Sequence, residues 1–270
     1  MKISVIIPTY KPKDYLWDCL NSLYNQTFNK IEFEVLLVLN GCDEPYKSEI
    51  LNYIEQHKAL NINLIHTQNG GVSNARNLAL DQMKGKYYTC LDDDDFLSST
   101  CLEEMYKLAN EDTVVECYPF GFNDGHPEIQ QKYGLTDVYD YCVVNNCNTL
   151  NSTARKFFSG PCMKLIPTSY IGKRRFNIKF KNGEDCIFMF LISDKIKNIV
   201  YTSKKAIYYR RFREGSAVSR KRKKTERIKN SILCMVEYTK IYFSSRYSTY
   251  FYLTRILAEI KCLLLILLNK

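Results

Sequence analysis

The chain has 270 residues, 46% of them hydrophobic and 25% charged, with a formal net charge of +9. That balance excludes a disordered tail or a fibrous repeat, and the length suits one large domain, alone or with an appendage. The eleven cysteines are scattered and never spaced CxxC, which excludes a paired-thiolate zinc site and gives no disulfide framework. Met1 to Pro8 is too short an apolar run for a signal peptide, so a reducing cytoplasm is the expected setting.

Ile3-Ser4-Val5-Ile6-Ile7-Pro8 is β-branched and reads as a buried strand. Leu16, Cys19, Leu20 and Leu23 then recur at helical spacing within 15–25. Residues 33–39 read as a strand, 46–57 as a helix and 62–66 as a short strand. Gly70-Gly71 opens a helix over 72–83, and 86–91 is a fourth strand. Strands alternating with helices predict βαβ units and a mostly parallel sheet, which binds ligands beyond the carboxyl ends of its strands. A helix over 99–110 and a strand over 113–120 follow, then a polar, irregular stretch over 121–151. Order resumes at 159–167, with a helix at 185–193, strands at 199–201 and 206–209, and helix from Thr225 to the end. The apolar run Leu263 to Leu268 is six residues long, whereas a bilayer span takes ~20.

Four consecutive aspartates, Asp92 to Asp95, follow the fourth strand directly. Such carboxylates repel one another and persist where they are solvated or where a cation sits among them. A solvated turn leading into the next helix is one reading. The position at a strand's carboxyl end gives the other, a hard-oxygen site for Mg²⁺ or Mn²⁺ facing a phosphate-bearing ligand.

Five segments, in order, resemble the inverting family 2 glycosyltransferases of the GT-A fold, of the bacterial polysaccharide-biosynthesis type. They are Val5-Ile6-Ile7-Pro8-Thr9-Tyr10, Leu23-Tyr24-Asn25-Gln26-Thr27-Phe28, Gly71-Val72-Ser73-Asn74-Ala75-Arg76-Asn77, Leu91-Asp92-Asp93-Asp94-Asp95 and Gly183-Glu184-Asp185. The resemblance implies an α/β fold: a Rossmann-like, mostly parallel mixed sheet flanked by helices. It covers a domain over 1–215, leaving a basic helical extension over 216–270.

The resemblance also implies roles. Pro8, Thr9 and Tyr10 would contact the nucleoside of a donor, and Asp92 and Asp93 would support its ribose and diphosphate. Asp94 would be the direct metal ligand, with Asp92 as a second and Asp93 or Asp95 in support. The family's second strand ends in two acids, but here Leu39-Asn40 stands in their place; an Asn40 amide still matches a uracil edge. Arg76, near a helix start, would meet a phosphate or hold the acidic run, a surface Arg being the plain alternative. Asp185, with Glu184 beside it, would be the catalytic base; an N-cap role for Asp185 is the structural alternative. Gly160 to Leu165 resembles the acceptor-side segment. Tyr208 to Ser216 resembles the loop that closes over the diphosphate, with Arg213 and Ser216 as donor contacts. Many relatives carry a metal-binding His there; this chain has Arg210, Arg211 and Arg213 instead, which can supply charge to phosphate directly.

The expected activity is metal-assisted sugar transfer, with inversion, from a nucleotide-diphospho-sugar, UDP-linked by preference, to a hydroxyl of a glycan or lipid-linked saccharide. A non-catalytic nucleotide-sugar-binding module or partner subunit is the alternative. A nucleotidyltransferase would need a Gly-rich loop after the first strand, where Pro8-Thr9-Tyr10-Lys11-Pro12 has no glycine. Residues 204–229 carry twelve Lys/Arg against two Glu, so the rest of the chain is close to neutral. No nucleic-acid-binding motif accompanies this cluster. With 256–268, it fits an anionic membrane surface, and so a peripheral place on the inner face of the cell membrane; a solvated basic helix face is the other reading.

Overall fold

The computed structural model describes residues 1–215 and 223–268. Its centre is a seven-stranded sheet. Strands β1 (Ile3–Thr9), β2 (Phe33–Asn40), β3 (Ile62–Thr67) and β4 (Tyr87–Cys90) run parallel, with β1 between β2 and β4. Beyond β4 come β9 (Lys164–Pro167), β6 (Thr113–Glu116) and β10 (Asn198–Tyr201). β9 is antiparallel to both β4 and β6, while β10 is parallel to β6. The expected mixed, mostly parallel sheet is present.

The strand period of two explains why every residue of β1 is buried. Ile3, Val5 and Ile7 enter one hydrophobic core, and Ile6 enters the other. Phe33, Val35, Leu37 and Leu39 of β2 divide from Leu36 and Val38 in the same way. Helices α1 (Tyr15–Tyr24), α2 (Tyr46–Gln56) and α4 (Cys101–Leu108) cover the first face through Leu16, Leu20, Ile50 and Leu102. α3 (Val72–Gln82), α5 (Gly134–Val144) and α6 (Glu184–Leu191) cover the second.

A second, four-stranded sheet runs β5 (Phe96–Leu97), β11 (Ile207–Phe212), β7 (Tyr118–Asn123), β8 (His126–Gln131). Here the structure corrects the sequence reading. The stretch over 121–151 is not irregular: it holds the end of β7, the β8 hairpin partner and α5. The strand expected over 113–120 is two strands belonging to different sheets. The strand expected to stop at Tyr209 continues to Phe212, carrying Arg210 and Arg211 within it. Their charges hid the strand from its hydrophobic pattern; the buried Asp95 carboxylate accommodates Arg210, and the exposed Asp18 and Asp124 accommodate Arg211.

The C-terminal helix is also two: α7 (Lys224–Ser244) and α8 (Thr249–Leu267). Ser248 caps α8, its side chain accepting from the Phe251 amide at 3.2 Å. Cys234, Tyr238, Ile241 and Phe251 join the core behind α6, where Phe190 meets Tyr238 edge-on. Arg255 of α8 donates to the Phe158 carbonyl, tying this helix to the segment leading into β9. Among the described residues no helix is long and apolar enough to cross a membrane.

Candidate active site

The site lies at the carboxyl ends of β1, β2 and β4. β1 delivers Pro8 and Thr9, both buried, and then Tyr10, which is 55% exposed. Tyr10 lies against Gly41, where φ is +98° and an added Cβ would come within 2.6 Å of the ring. Only glycine fits there, which explains the Asn40-Gly41 turn. Asn40 is buried and its amide is engaged by backbone: Nδ2 donates to the Thr9 carbonyl at 2.7 Å, and Oδ1 accepts from the Gly71 amide at 3.0 Å. It therefore joins the end of β1 to the entry of α3.

Leu91 continues from β4 with its amide bonded to the Ile6 carbonyl, and the four aspartates then divide by environment. Asp93 accepts from the Thr9 hydroxyl at 2.5 Å. Desolvation, reinforced by Asp94 and Asp92, pushes its carboxyl up to about 7 against that hydrogen bond. Asp95 is fully buried and accepts from Tyr208 Oη at 2.7 Å, the Arg211 amide at 2.8 Å and Arg210 Nη1 at 2.8 Å. Asp94 accepts from Arg213 Nε at 2.7 Å. The solvated-turn reading fails here, because Asp94 and Asp95 are buried.

Arg76 is not a surface residue. It is 3% exposed and packs over Phe176, and it donates Nη1 to Asp185 at 2.6 Å and Nη2 to Asp92 at 3.1 Å. One guanidinium thus joins the acidic turn to a carboxylate 109 residues away in sequence. Desolvation opposes the charge on Asp92, yet Arg76 and Arg210 together hold its carboxyl below the ordinary value. At Asp185 desolvation prevails over Arg76, and the carboxyl stands above the ordinary value. A raised, ionisable carboxylate suits a base working near neutrality.

Asp185 does not cap its helix. Gly183, with φ at +77°, is the N-cap residue of α6, and no side chain caps that end. Glu184 and Asp185 are the first two residues of α6, and the Asp185 carboxylate is directed to Arg76. The acceptor-side segment is held from below by Lys164, which is 1% exposed. Its ammonium donates to the carbonyls of Phe157, Gly160 and Cys162 at 3.0, 2.9 and 2.7 Å, with Glu116 at 3.9 Å.

Arg211 secures the loop from its other side, with Nε on the Asp94 carbonyl at 2.8 Å and Nη atoms on Asp18 and Asp124 at 2.7 and 2.6 Å. Arg210, Arg211 and Arg213 therefore all meet aspartates. Ser216 lies outside the described residues. Tyr208, absent from the sequence reading as a site residue, contacts Asp95 and receives the Asp92 amide at 3.3 Å. The signal for it was period two: it shares a strand face with Arg210. His57 stacks on Tyr53 and His66 meets the Gly41 carbonyl, structural roles for both.

Asp92, Asp94 and Asp95 bring carboxylate oxygens within 4.8 Å of one another, a donor set of the hard-oxygen type that holds Mg²⁺ or Mn²⁺. A positive group already lies among these oxygens, since Arg210 Nη1 touches all three carboxylates. The cluster therefore fits a cation by chemistry and by spacing.

A sequence model described as glycosyl transferase family 2 matches residues 4–194. The chain belongs to this family. Its GT-A fold is shared with S. aureus TarS 1-349 in complex with UDP-GlcNAc, at a TM-score of 0.76 and 23% identity over 97% of this chain and 72% of that one. Mannosyltransferase PcManGT from Pyrobaculum calidifontis, in complex with GDP-Man and Mn²⁺, aligns at a TM-score of 0.63 and 15% identity over 98% and 72%. Among curated family relatives, poly(ribitol-phosphate) beta-N-acetylglucosaminyltransferase TarS of Staphylococcus aureus is 30% identical over 224 residues, 81% of this chain and 37% of its own. Glycosyltransferase GlyA of Streptococcus pneumoniae is 31% identical over 229 residues, 80% and 31%. Minor teichoic acid biosynthesis protein GgaB of Bacillus subtilis is 29% identical over 223 residues, 79% and 23%. The chain thus spans between 23% and 37% of the length of these three relatives.

Proposed function

We propose that the chain transfers a sugar from a nucleotide-diphospho-sugar, UDP-linked by preference, to a hydroxyl of a glycan or lipid-linked saccharide, with inversion. The observation that carries this reading is the Arg76 bridge, which holds a raised carboxylate, Asp185, one guanidinium away from the acidic turn. A direct displacement needs a base on one side of the sugar and charge stabilisation on the other. Asp185 takes the proton of the acceptor hydroxyl as its oxygen bonds to the sugar carbon and the bond to the diphosphate breaks. Arg76 orients Asp185, and its charge keeps the carboxylate ionised until the proton arrives. Tyr10 offers the exposed ring for the donor base, with Pro8, Thr9 and Asn40 shaping its floor. Asp94 and Asp92 would hold Mn²⁺ or Mg²⁺, which supplies Lewis-acid neutralisation of the charge growing on the diphosphate. Arg213 adds a cation on the same side. The names of the relatives, which include a UDP-GlcNAc complex, a poly(ribitol-phosphate) N-acetylglucosaminyltransferase and a minor teichoic acid biosynthesis protein, support a nucleotide-sugar donor and a polymer acceptor.

The test is Asp185→Asn, assayed for transfer and for Mn²⁺-dependent UDP-sugar binding by calorimetry. Turnover is expected to fall by about 10²- to 10⁴-fold with donor affinity unchanged. An equally active variant removes Asp185 from the mechanism.

The domain division at 215 and the membrane contact belong to the same proposal. Leu253, Leu257, Ile260 and Leu264 leave an exposed apolar stripe on α8, and Leu233, Val236 and Phe243 leave one on α7. Lys224, Arg227 and Lys229 lie on the first turns of α7. This is the composition of a surface seated on an anionic bilayer. Co-sedimentation with phosphatidylglycerol vesicles, and not with phosphatidylcholine vesicles, is the expected result.

A further inference from the structure

Arg210, on β11, lies among the carboxylates of the acidic turn. Its Nη1 is 2.8 Å from Asp95 Oδ2, 3.2 Å from Asp92 Oδ2 and 3.8 Å from Asp94 Oδ1. These are the same three carboxylates whose oxygens cluster within 4.8 Å. A divalent ion binds such oxygens at about 2.0–2.6 Å, so it would need the volume where this guanidinium nitrogen lies. Two cations cannot share that space, by sterics or by charge.

We propose that Arg210 is the resident counter-cation of the acidic turn and that metal loading proceeds by displacing it. The proposal rests on the reading of this turn as the cation site. Three features make the exchange feasible. Of the two arginines on Asp92, Arg76 is 3% exposed and packed over Phe176, whereas Arg210 is 20% exposed at its side chain and has a route to solvent. Asp95 keeps two donors after Arg210 leaves, the Tyr208 hydroxyl and the Arg211 amide, so it is not stranded in the interior. Asp92 likewise keeps Arg76. The backbone need not move, because Arg210 sits in β11, paired with Gly121 of β7, and only its side chain must swing.

The displaced guanidinium is then a free cation at the mouth of the site, where the diphosphate arrives. Arg210 thereby sets how much free metal the protein needs: the ion must outcompete an attached cation, so binding is weaker than three carboxylates alone would give.

The experiment is Mn²⁺ binding to the full chain without nucleotide, at pH 8, by calorimetry and by loss of the free Mn²⁺ electron paramagnetic resonance signal. Arg210→Gln is compared with the unaltered protein and with Asp94→Ala, with circular dichroism and a melting curve confirming the fold of each. Arg210→Gln is expected to tighten Mn²⁺ binding by about tenfold or more, and Asp94→Ala to lose it. Unchanged or weaker binding in folded Arg210→Gln, with Asp94→Ala still impaired, overturns the displacement while leaving the cation site standing. Absence of Mn²⁺ binding in both the unaltered protein and Arg210→Gln overturns the displacement and the cation site together. Binding that survives Asp94→Ala in full places the ion elsewhere and likewise overturns both.

Discussion

Arg76 and Arg213 each neutralise a carboxylate of the acidic turn, from opposite sides and at different depths. Arg76 comes from α3, is 3% exposed, and serves Asp92 and Asp185 at once. Arg213 follows β11, is 21% exposed, lies over the Tyr15 ring and serves Asp94. The first is framework, because this buried cation cannot leave without stranding Asp185 and leaving Asp92 to Arg210 alone. The second is exchangeable, because its guanidinium reaches solvent and it holds a single carboxylate. Together they separate the part of the site that must hold its shape from the part that must respond to an incoming anion.

The largest effect is expected from breaking the framework. Arg76→Met leaves Asp92 and Asp185 facing each other without their shared cation, and should cost about 3–5 kcal/mol of stability in denaturant titration. Its second consequence is electrostatic. Arg76 lowers the Asp185 carboxyl against desolvation, so its removal raises that carboxyl further. The acid limb of kcat/KM should move to higher pH in whatever activity survives. A limb that stays in place shows that Asp185 does not titrate in the rate-determining proton transfer.

The framework extends to Lys164 and Glu116, and here the comparison can be sharpened with pH. Glu116 is fully buried, and burial pushes its carboxyl from 4.5 up to about 7 despite Lys164. A group raised on folding stabilises the folded state fully below its unfolded value and loses that contribution as pH rises through its folded value. The difference between 4.5 and about 7 corresponds to about 3 kcal/mol. Glu116→Gln should therefore leave stability near that of the unaltered protein at pH 4.5 and raise it above pH 7. Melting curves from about pH 4.5 to 8.5 measure this. A gain that does not grow with pH assigns the Glu116 charge a structural role with Lys164.

Much of this was legible in the sequence, and the exceptions have physical causes. β1 to β4 were readable because β-branched runs such as Ile3 to Ile7 are buried on both faces. The β7–β8 hairpin was not, although Asp124-Gly125, with Gly125 at φ +82°, marks its turn. Helix α5 was missed because its buried positions Thr136, Val138, Tyr139 and Cys142 include polar and amphipathic types that blur the period. In the site, the acidic run stood out by its place after β4. What could not be read was the pairing: nothing local tells Arg76 from a surface arginine, since its partner Asp185 is brought near only by the packing of α6 against the sheet. Nor could the sequence show that Arg210 would fill the carboxylate cluster, because its segment resembled a phosphate-closing loop and its carboxylate partners lie more than a hundred residues away in sequence.

The smallest effect on stability, and the sharpest on the comparison, is expected from Arg213→Gln. Its ion pair with Asp94 is 21% exposed on the arginine and 9% on the aspartate, and a glutamine can still donate to that carboxylate, so the melting temperature should fall far less than in Arg76→Met. If Arg213 is exchangeable in the sense argued above, its value lies in the anion it meets once a donor is bound. The variant should then raise the KM for the nucleotide sugar by about tenfold, equivalent to about 1.4 kcal/mol, with kcat changed less. The contrast with Arg76→Met is the decisive part: one arginine changes stability and the pH profile, the other changes donor affinity alone. Loss of stability in Arg213→Gln comparable to that in Arg76→Met makes both arginines framework, and the division of the site into a rigid and a responsive side fails.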